Sequence, residues 1–285
     1  MKYWLATLTL FFSTPVFSVE FFRGAQTSAM GHAGRAHLDS AEAALVNPAL
    51  LPLLKNSGSN LYFRDGYLED DQHRNGYGIA FFDNSEGVWF PGAVHYFRLR
   101  DTGRTAKPVQ GEAWHAAGGF ELSDRLLVGG SLYRLSYETD GTQSIQWNGS
   151  IGSVLKISPI LGVAYVLDNL AKPGSEVPQG LREETEQSLG VFGVIYDVAQ
   201  VRFDVSRREH DNPDGKMAYM FGVETRSQEY LLVRMGYKLD QRTDQSIWTA
   251  GLCFNGPRLK IDYAFEKSSE RSSGALHSVD LRLPF

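Results

Sequence analysis

From residue 57 onward, the chain consists of short runs in which apolar and polar side chains alternate. In the run 258–266, Leu259, Ile261, Tyr263 and Phe265 alternate with charged or small residues. Successive side chains of a strand point to opposite faces, so this pattern predicts strands with one apolar and one polar face. Fourteen strands are predicted: 57–67, 74–83, 88–100, 110–122, 126–138, 144–157, 161–168, 186–197, 199–208, 216–226, 230–239, 246–255, 258–267 and 275–285.

The links between these runs alternate in length, which favours a membrane barrel over a soluble sandwich. Tight links such as 123–125 and 158–160 alternate with longer polar links such as 100–110 and 169–185. Bacterial outer-membrane barrels have an even number of antiparallel strands, short periplasmic turns and longer outside loops. We therefore predict an all-β fold, a transmembrane antiparallel β-barrel of about 14 strands over 57–285. Both termini are expected in the periplasm of a Gram-negative bacterium.

Aromatic residues near the strand ends support the same architecture. Phe254 and Phe285 lie next to a short turn or the terminus, whereas Tyr137 and Trp147 lie near the opposite strand ends. Aromatic girdles at both membrane interfaces are typical of such barrels. The final strand alternates up to Phe285, which we interpret as the signal for barrel assembly.

The N-terminus predicts export. Lys2 and the apolar run 3–12 lead to small residues ending at Ser18, which indicates a signal peptide over 1–18. The run is far shorter than the roughly 20 apolar residues of a spanning helix. The net charge of −5 gives no indication of nucleic-acid binding. The single cysteine, Cys253, excludes an internal disulfide.

Residues 19–56 do not alternate and form a separate N-terminal region. The sequence from Asp39 to Glu42 resembles a capping box that opens a short helix, and Pro48 is expected to end that helix. Two interpretations stay open. The region is either a tail on the membrane surface or a hatch folded into the barrel mouth, where its backbone groups can find partners.

Three stretches resemble the long-chain fatty acid transporter (FadL) superfamily, including its PorV-type branch. They are 24–34 with the Asn-Pro-Ala motif at 47–49, 161–170, and late-strand motifs such as 234–237. The resemblance implies a monomeric barrel with a hatch or plug over 19–56 that rearranges to admit a hydrophobic molecule. It assigns the hatch residues Gly31, Gly34, Asn47, Pro48 and Ala49.

The polar faces of the predicted strands carry charges that we expect to face the lumen. They are Arg98, Arg202, Asp204, Arg234, Lys260, Asp262, Asp280 and Arg282. Such charges are costly in lipid but normal inside a barrel. They form either a polar conduction path, an ionic network that holds the hatch, or mutually neutralising pairs that fill a narrow barrel. A lumen built for fatty acids should be apolar, so these charges argue against fatty-acid uptake.

Catalysis is not expected. His277 and Ser278 are adjacent on a strand and point to opposite faces, so they cannot form a catalytic pair. The seven histidines show no metal-ligand spacing, and we predict neither a metal nor a cofactor.

The predicted function is passive transport of a small hydrophobic or amphipathic molecule across the outer membrane. A PorV-like scaffold or shuttle for surface or secreted proteins and a narrow polar pore are the alternatives. The expected partners are outer-membrane lipid, the barrel assembly machinery and a hydrophobic small-molecule ligand, with no nucleic acid.

Overall fold

The computed structural model describes residues 22–55, 57–67, 73–102, 108–139, 141–172, 174, 177, 182–196, 198–209, 215–269 and 274–285. The predicted signal peptide over 1–18 lies outside these residues. Within the described parts of the chain, no helix has the length and apolar character needed to cross a bilayer.

Fourteen strands form one closed antiparallel barrel in which each strand pairs with its neighbours in sequence and the first pairs with the last. The all-β class and the fourteen predicted strands are confirmed. The strands are β1 (Gly58–Tyr67), β2 (His73–Asp83), β3 (Gly92–Thr102), β4 (Val109–Ser123), β5 (Leu126–Thr139), β6 (Thr142–Ser158), β7 (Leu161–Asp168), β8 (Glu186–Ile195), β9 (Ala199–Arg208), β10 (Ala218–Gln228), β11 (Leu231–Asp240), β12 (Gln245–Asn255), β13 (Lys260–Ser268) and β14 (Ala275–Pro284).

The wall of the barrel is continuous. The closing pair of strands, β1 and β14, is in register from Gly58 opposite Pro284 to Gly66 opposite Leu276. Shifts in register occur only where β4 meets β5, β6 meets β7 and β10 meets β11, in each case beside a two-residue turn. The described ladders therefore leave no gap between neighbouring strands.

Two links depart from the predicted alternation in length. The link between β2 and β3 spans 84–91 rather than 84–87, because β3 begins at Gly92. Pro91 has no N–H to donate to a ladder, and Trp89 before it is 92% exposed. The link between β5 and β6 is only 140–141, although it lies at the end of the barrel that carries the longer links.

Alternation along the strands separates an outer from an inner face. Trp147, which the girdle prediction includes, is exposed on the outside of the wall, as are Trp114 and Trp248. Tyr137 is the exception, because it is only 1% exposed and packs in the interior with Phe97 and Leu135. The assignment of Tyr137 to a girdle was therefore wrong.

Residues 22–55, called the inner segment below, contact the inner face of the barrel. The segment contains α1 (Ala25–Ala29), α2 (Ala43–Val46) and a 3-10 helix (Pro48–Leu53). Helix α1 contacts β11 to β14, and the 3-10 helix contacts β4 to β6 on the other side of the ring. Because the two helices reach opposite walls, the segment crosses the interior.

Candidate functional site

The first turn of the inner segment is held by two buried carboxylates. Asp280 on β14 accepts a hydrogen bond from the Ala25 N–H at 2.7 Å. Glu42, within the segment, accepts from the N–H groups of Gly24 at 2.9 Å and Thr27 at 3.2 Å. Burial raises the pKa of Glu42 above its ordinary value. The predicted lumen residue Asp280 thus contacts the backbone of the segment directly.

Gly31 allows the segment to lie directly against the wall. Its backbone has a φ of 62°, and a Cβ added there would lie 2.4 Å from the Tyr237 nitrogen. Real Cβ atoms do not approach that closely, so only glycine fits both the conformation and the space. The Gly31 N–H donates to Thr249 Oγ1 at 2.9 Å, and that hydroxyl donates to the Ala29 carbonyl at 3.0 Å.

Asp204 on β9 is the second wall carboxylate that binds the segment. Its Oδ2 accepts from the Gly34 N–H at 2.8 Å, the Arg35 N–H at 3.0 Å and Arg35 Nη1 at 3.3 Å. Asp204 and Arg35 are both buried, so these charge-assisted bonds form in a low-dielectric environment. The predicted hatch residue Gly34 and the predicted lumen residue Asp204 are therefore direct partners.

The Asn-Pro-Ala motif forms the start of the 3-10 helix. Asn47 Oδ1 accepts from the Ala49 N–H at 3.0 Å, and Asn47 Nδ2 donates to the Arg35 carbonyl at 2.8 Å. Pro48 occupies the first helical position, where its missing N–H is not needed. The helix packs so closely on β5 that a Cβ at Gly129 would lie 2.5 Å from the Ala49 nitrogen.

Four more predicted lumen charges join one ionic network. Arg234 contacts Asp262 and Glu224, and Arg282 Nε donates to Asp262 at 2.8 Å. The network reaches the inner segment at Asp39, whose carbonyl accepts from Arg282 Nη1 at 3.1 Å and whose carboxylate lies 3.8 Å from Lys260 Nζ. The charges thus pair with one another and with the segment.

Arg202 lies beside this network without a carboxylate bound to it. Its side chain is 2% exposed, and its Nε and Nη1 have no hydrogen-bond partner in the described part of the protein. Burial, and then the charge of Arg202, lowers the pKa of His37 to about 4. The His37 ring is therefore neutral near pH 7 and stacks on Phe192 with ring centroids 4.1 Å apart.

The structure places Arg98 on the outer face, so its assignment to the lumen was wrong. Its neighbours Phe97 and Leu99 are buried inside, whereas the Arg98 side chain is 47% exposed and its Nε lies 3.9 Å from Glu112 Oε1. The reason is that Phe97 and Leu99 occupy the inner face around Arg98, whereas the charged residues of the late strands are on the inner face. Arg98 is on the same outward face of β3 as Tyr96, which lies opposite Trp114 in the ladder. A long arginine side chain can cover apolar surface with its methylene groups while its charged end stays in water.

An aromatic inner face on β1 to β5 was missed by the sequence analysis. Phe97 lies between Phe22 of the inner segment at 4.5 Å and Tyr62 at 5.4 Å, measured between ring centroids. His115 stacks on Tyr133, with centroids 5.8 Å apart. The signal was present in the alternation of β3, where His95, Phe97 and Leu99 share one face. Aromatic side chains are therefore concentrated on the inner face of β1 to β5, which also carries the buried pair Arg74–Asp101, and charged side chains are concentrated on β8 to β14.

A cavity of about 130 Å³ lies where these two parts of the wall meet the inner segment. It is near the end of the barrel where β7 ends at Asp168 and β9 ends at Arg208. Its apolar lining includes Phe22, Leu45, His115, Tyr133 and Leu135, and its polar lining includes Arg35, Asp168, Glu186 and Arg208. An enclosed apolar cavity of about 150 Å³ can bind benzene, so this cavity has the size of a single-ring molecule.

The cations of the cavity are already bound to protein groups. Glu186 Oε1 accepts from Arg35 Nη2 at 3.2 Å, and its Oε2 accepts from Arg208 Nε at 3.1 Å and Arg242 Nη1 at 2.8 Å. One carboxylate therefore neutralises part of the charge of three arginines. Among the described residues, no group of histidine, cysteine and acidic side chains could hold a metal ion.

The fourteen-stranded barrel is similar to solved structures of hydrocarbon and toluene channels. Superposition on the CymD monoaromatic hydrocarbon channel gives a TM-score of 0.73 at 14% identity, covering 92% of this chain and 97% of that one. The Ralstonia pickettii toluene transporter TbuX gives 0.69 at 13% identity, with coverages of 92% and 98%.

A Pseudomonas aeruginosa FadL homologue gives a TM-score of 0.68 at 12% identity, with coverages of 92% and 98%. The chain therefore has a FadL-like fold. No known protein family matches the sequence, and no curated protein matches it either.

Proposed function

We propose that this protein is an outer-membrane channel for passive uptake of small hydrophobic or amphipathic molecules, with the inner segment as its plug. The observation that carries the proposal is the cavity of about 130 Å³ between the aromatic wall and the inner segment, which has both aromatic and charged lining residues. The similar structures described as monoaromatic hydrocarbon and toluene channels support a ligand of this size class.

The continuous wall favours a route along the barrel axis. The described ladders leave no gap between strands, so a molecule in the cavity has to pass the inner segment to cross the barrel. The segment is held by hydrogen bonds to Asp204, Thr249 and Asp280, whereas its own helices are very short. Opening therefore requires these bonds to break while the strand ladder stays intact.

The proposed location is the outer membrane, with both termini in the periplasm. The side chains on the outside of the barrel support this membrane location. The exposed tryptophans Trp114, Trp147 and Trp248 have the placement of an interfacial girdle, where aromatic rings are favoured. The signal peptide expected at 1–18 supports export to the periplasm. The alternative of a narrow polar pore has less support, because most of the lumen charges are paired with one another or with the inner segment.

Uptake by intact cells tests the proposal. A Gram-negative host with low outer-membrane permeability would be given radiolabelled toluene, with and without the protein. We expect faster uptake with the protein, and less acceleration for a larger molecule that exceeds the cavity. Equal uptake by cells that contain the properly assembled barrel and by cells that lack it would contradict the proposal.

A further inference from the structure

Asp168 is an inward carboxyl group without a hydrogen-bond or ion-pair partner among the described residues. It is the last residue of β7, on the same face as the buried Val166, and it lines the cavity. It lies directly opposite Glu186 in the ladder between β7 and β8. Glu186 is bound by three arginines, whereas Asp168 has no hydrogen bond or ion pair to any described residue. Its oxygens are therefore available to a ligand.

The other charged groups of the cavity are engaged, including Glu183 and Arg23, whose Nη1 donates to the His32 carbonyl at 3.3 Å. Arg35 is shared by Glu186 and Asp204, and Arg208 is bound to Glu186. Glu42 accepts the N–H groups of the segment's first turn. The Asp168 oxygens can accept hydrogen bonds, so Asp168 can satisfy a hydrogen-bond donor on a ligand.

The lining of the cavity also includes an aromatic surface. The ring planes of His115 and Tyr133 are inclined by only 20°. His115 is 7% exposed, and its Nδ1 has no hydrogen-bond partner among the described residues. A planar ring can stack on these side chains, and stacked or edge-to-face aromatic contacts add to the gain from apolar burial.

We propose that the cavity binds single-ring aromatic molecules that carry a hydrogen-bond-donating group, of the phenol or aromatic amine class. The ring packs on His115 and Tyr133, and the O–H or N–H group donates to Asp168. The inference rests on the proposed function and specifies its ligand. A plain hydrocarbon leaves the buried Asp168 carboxyl group without a partner, and an aromatic carboxylate brings a further acidic group beside Asp168 and the neighbouring Glu186.

Fluorine NMR titration of the full-length protein in lipid nanodiscs tests this ligand class. The probes are 4-fluorophenol, 4-fluorotoluene and 4-fluorobenzoate, and empty nanodiscs correct for partition into lipid. We expect 4-fluorophenol to bind roughly tenfold more tightly than the other two, which is the effect of one hydrogen bond. Asp168→Leu should remove this preference, and Asp168→Asn, which keeps an acceptor, should retain part of it.

The matched control is Glu112→Gln, which removes a carboxylate from the outer face and should leave the preference unchanged. Equal affinity of the parent protein for 4-fluorophenol and 4-fluorotoluene would overturn the role of Asp168, as would an unchanged preference in folded Asp168→Leu. Either result would leave the proposed function, a channel for small single-ring molecules, unaffected. If none of the probes binds and toluene uptake is not raised, the proposed function itself fails.

Discussion

Replacing Asp204 with alanine should release the middle of the inner segment without opening the barrel wall. Asp204 is fully buried and accepts three hydrogen bonds from Gly34 and Arg35. Removing one partner of a buried charge pair costs about 3–5 kcal/mol. Arg35 keeps its bond to Glu186, so we expect a loss of about 3 kcal/mol, at the lower end of this range. The strand ladder does not depend on this carboxylate, so the loss should fall on the docking of the segment.

Hydrogen exchange of the amides at 31–36 measures this effect. A loss of about 3 kcal/mol corresponds to roughly a hundredfold faster exchange, if the amides exchange by local opening of the segment. The amides of β8 to β10 should keep their protection.

The matched control is Asp101→Ala. Asp101 is also buried, and it binds Arg74 through two bonds of 2.8 and 2.7 Å, but this pair lies within the wall between β2 and β3. The control should leave exchange at 31–36 unchanged. Unchanged exchange at 31–36 in Asp204→Ala, or equal loss of protection in the β9 and β10 ladder, would refute the reasoning.

Three further predictions concern the plug, the terminus and pH. Deleting 24–54 should raise the conductance of planar bilayers to small ions while the barrel still assembles; a deletion variant that conducts like the parent would contradict the plug assignment. Removing Phe285 should reduce the heat-modifiable band on gels, since an aromatic C-terminal residue is expected to direct assembly, and undiminished assembly would count against that role. The pKa of His37 is lowered to about 4, so the unfolded chain takes up this proton first and stability falls as the pH drops from about 6.5 towards 4. The thermal midpoint of His37→Phe in detergent should therefore decrease less between pH 7.5 and pH 4.5 than that of the parent, and equal decreases would show that His37 is not kept neutral by the fold.

The architecture could be predicted because the side-chain period of a strand is a local property. Alternation such as that of Leu259, Ile261, Tyr263 and Phe265 can be recognised without knowing the neighbouring strands. Which face points inward is not local. In β3 both faces combine aromatic and polar residues, so Arg98 was placed on the wrong side.

The cavity could not be predicted, because it depends on contacts between distant parts of the chain. Asp168 and Glu186 become neighbours only through the register of β7 and β8 across a long link. The availability of Asp168 becomes evident only when the partners of Glu186 are known. Neither the register of β7 and β8 nor the partners of Glu186 can be read from the spacing of residues in the sequence. The inward position of Tyr137 was missed for the same reason.

The bond between Ala25 and Asp280 joins residues 255 positions apart and has a consequence for the order of biogenesis. The inner segment is synthesised and exported before the strands that bind it, because Asp204, Thr249 and Asp280 all belong to later parts of the chain. Contacts of such large sequence separation form late in folding. The bond to Asp280 can form only once β14 has been made, so the N-terminal part of the chain completes its docking after the rest of the chain.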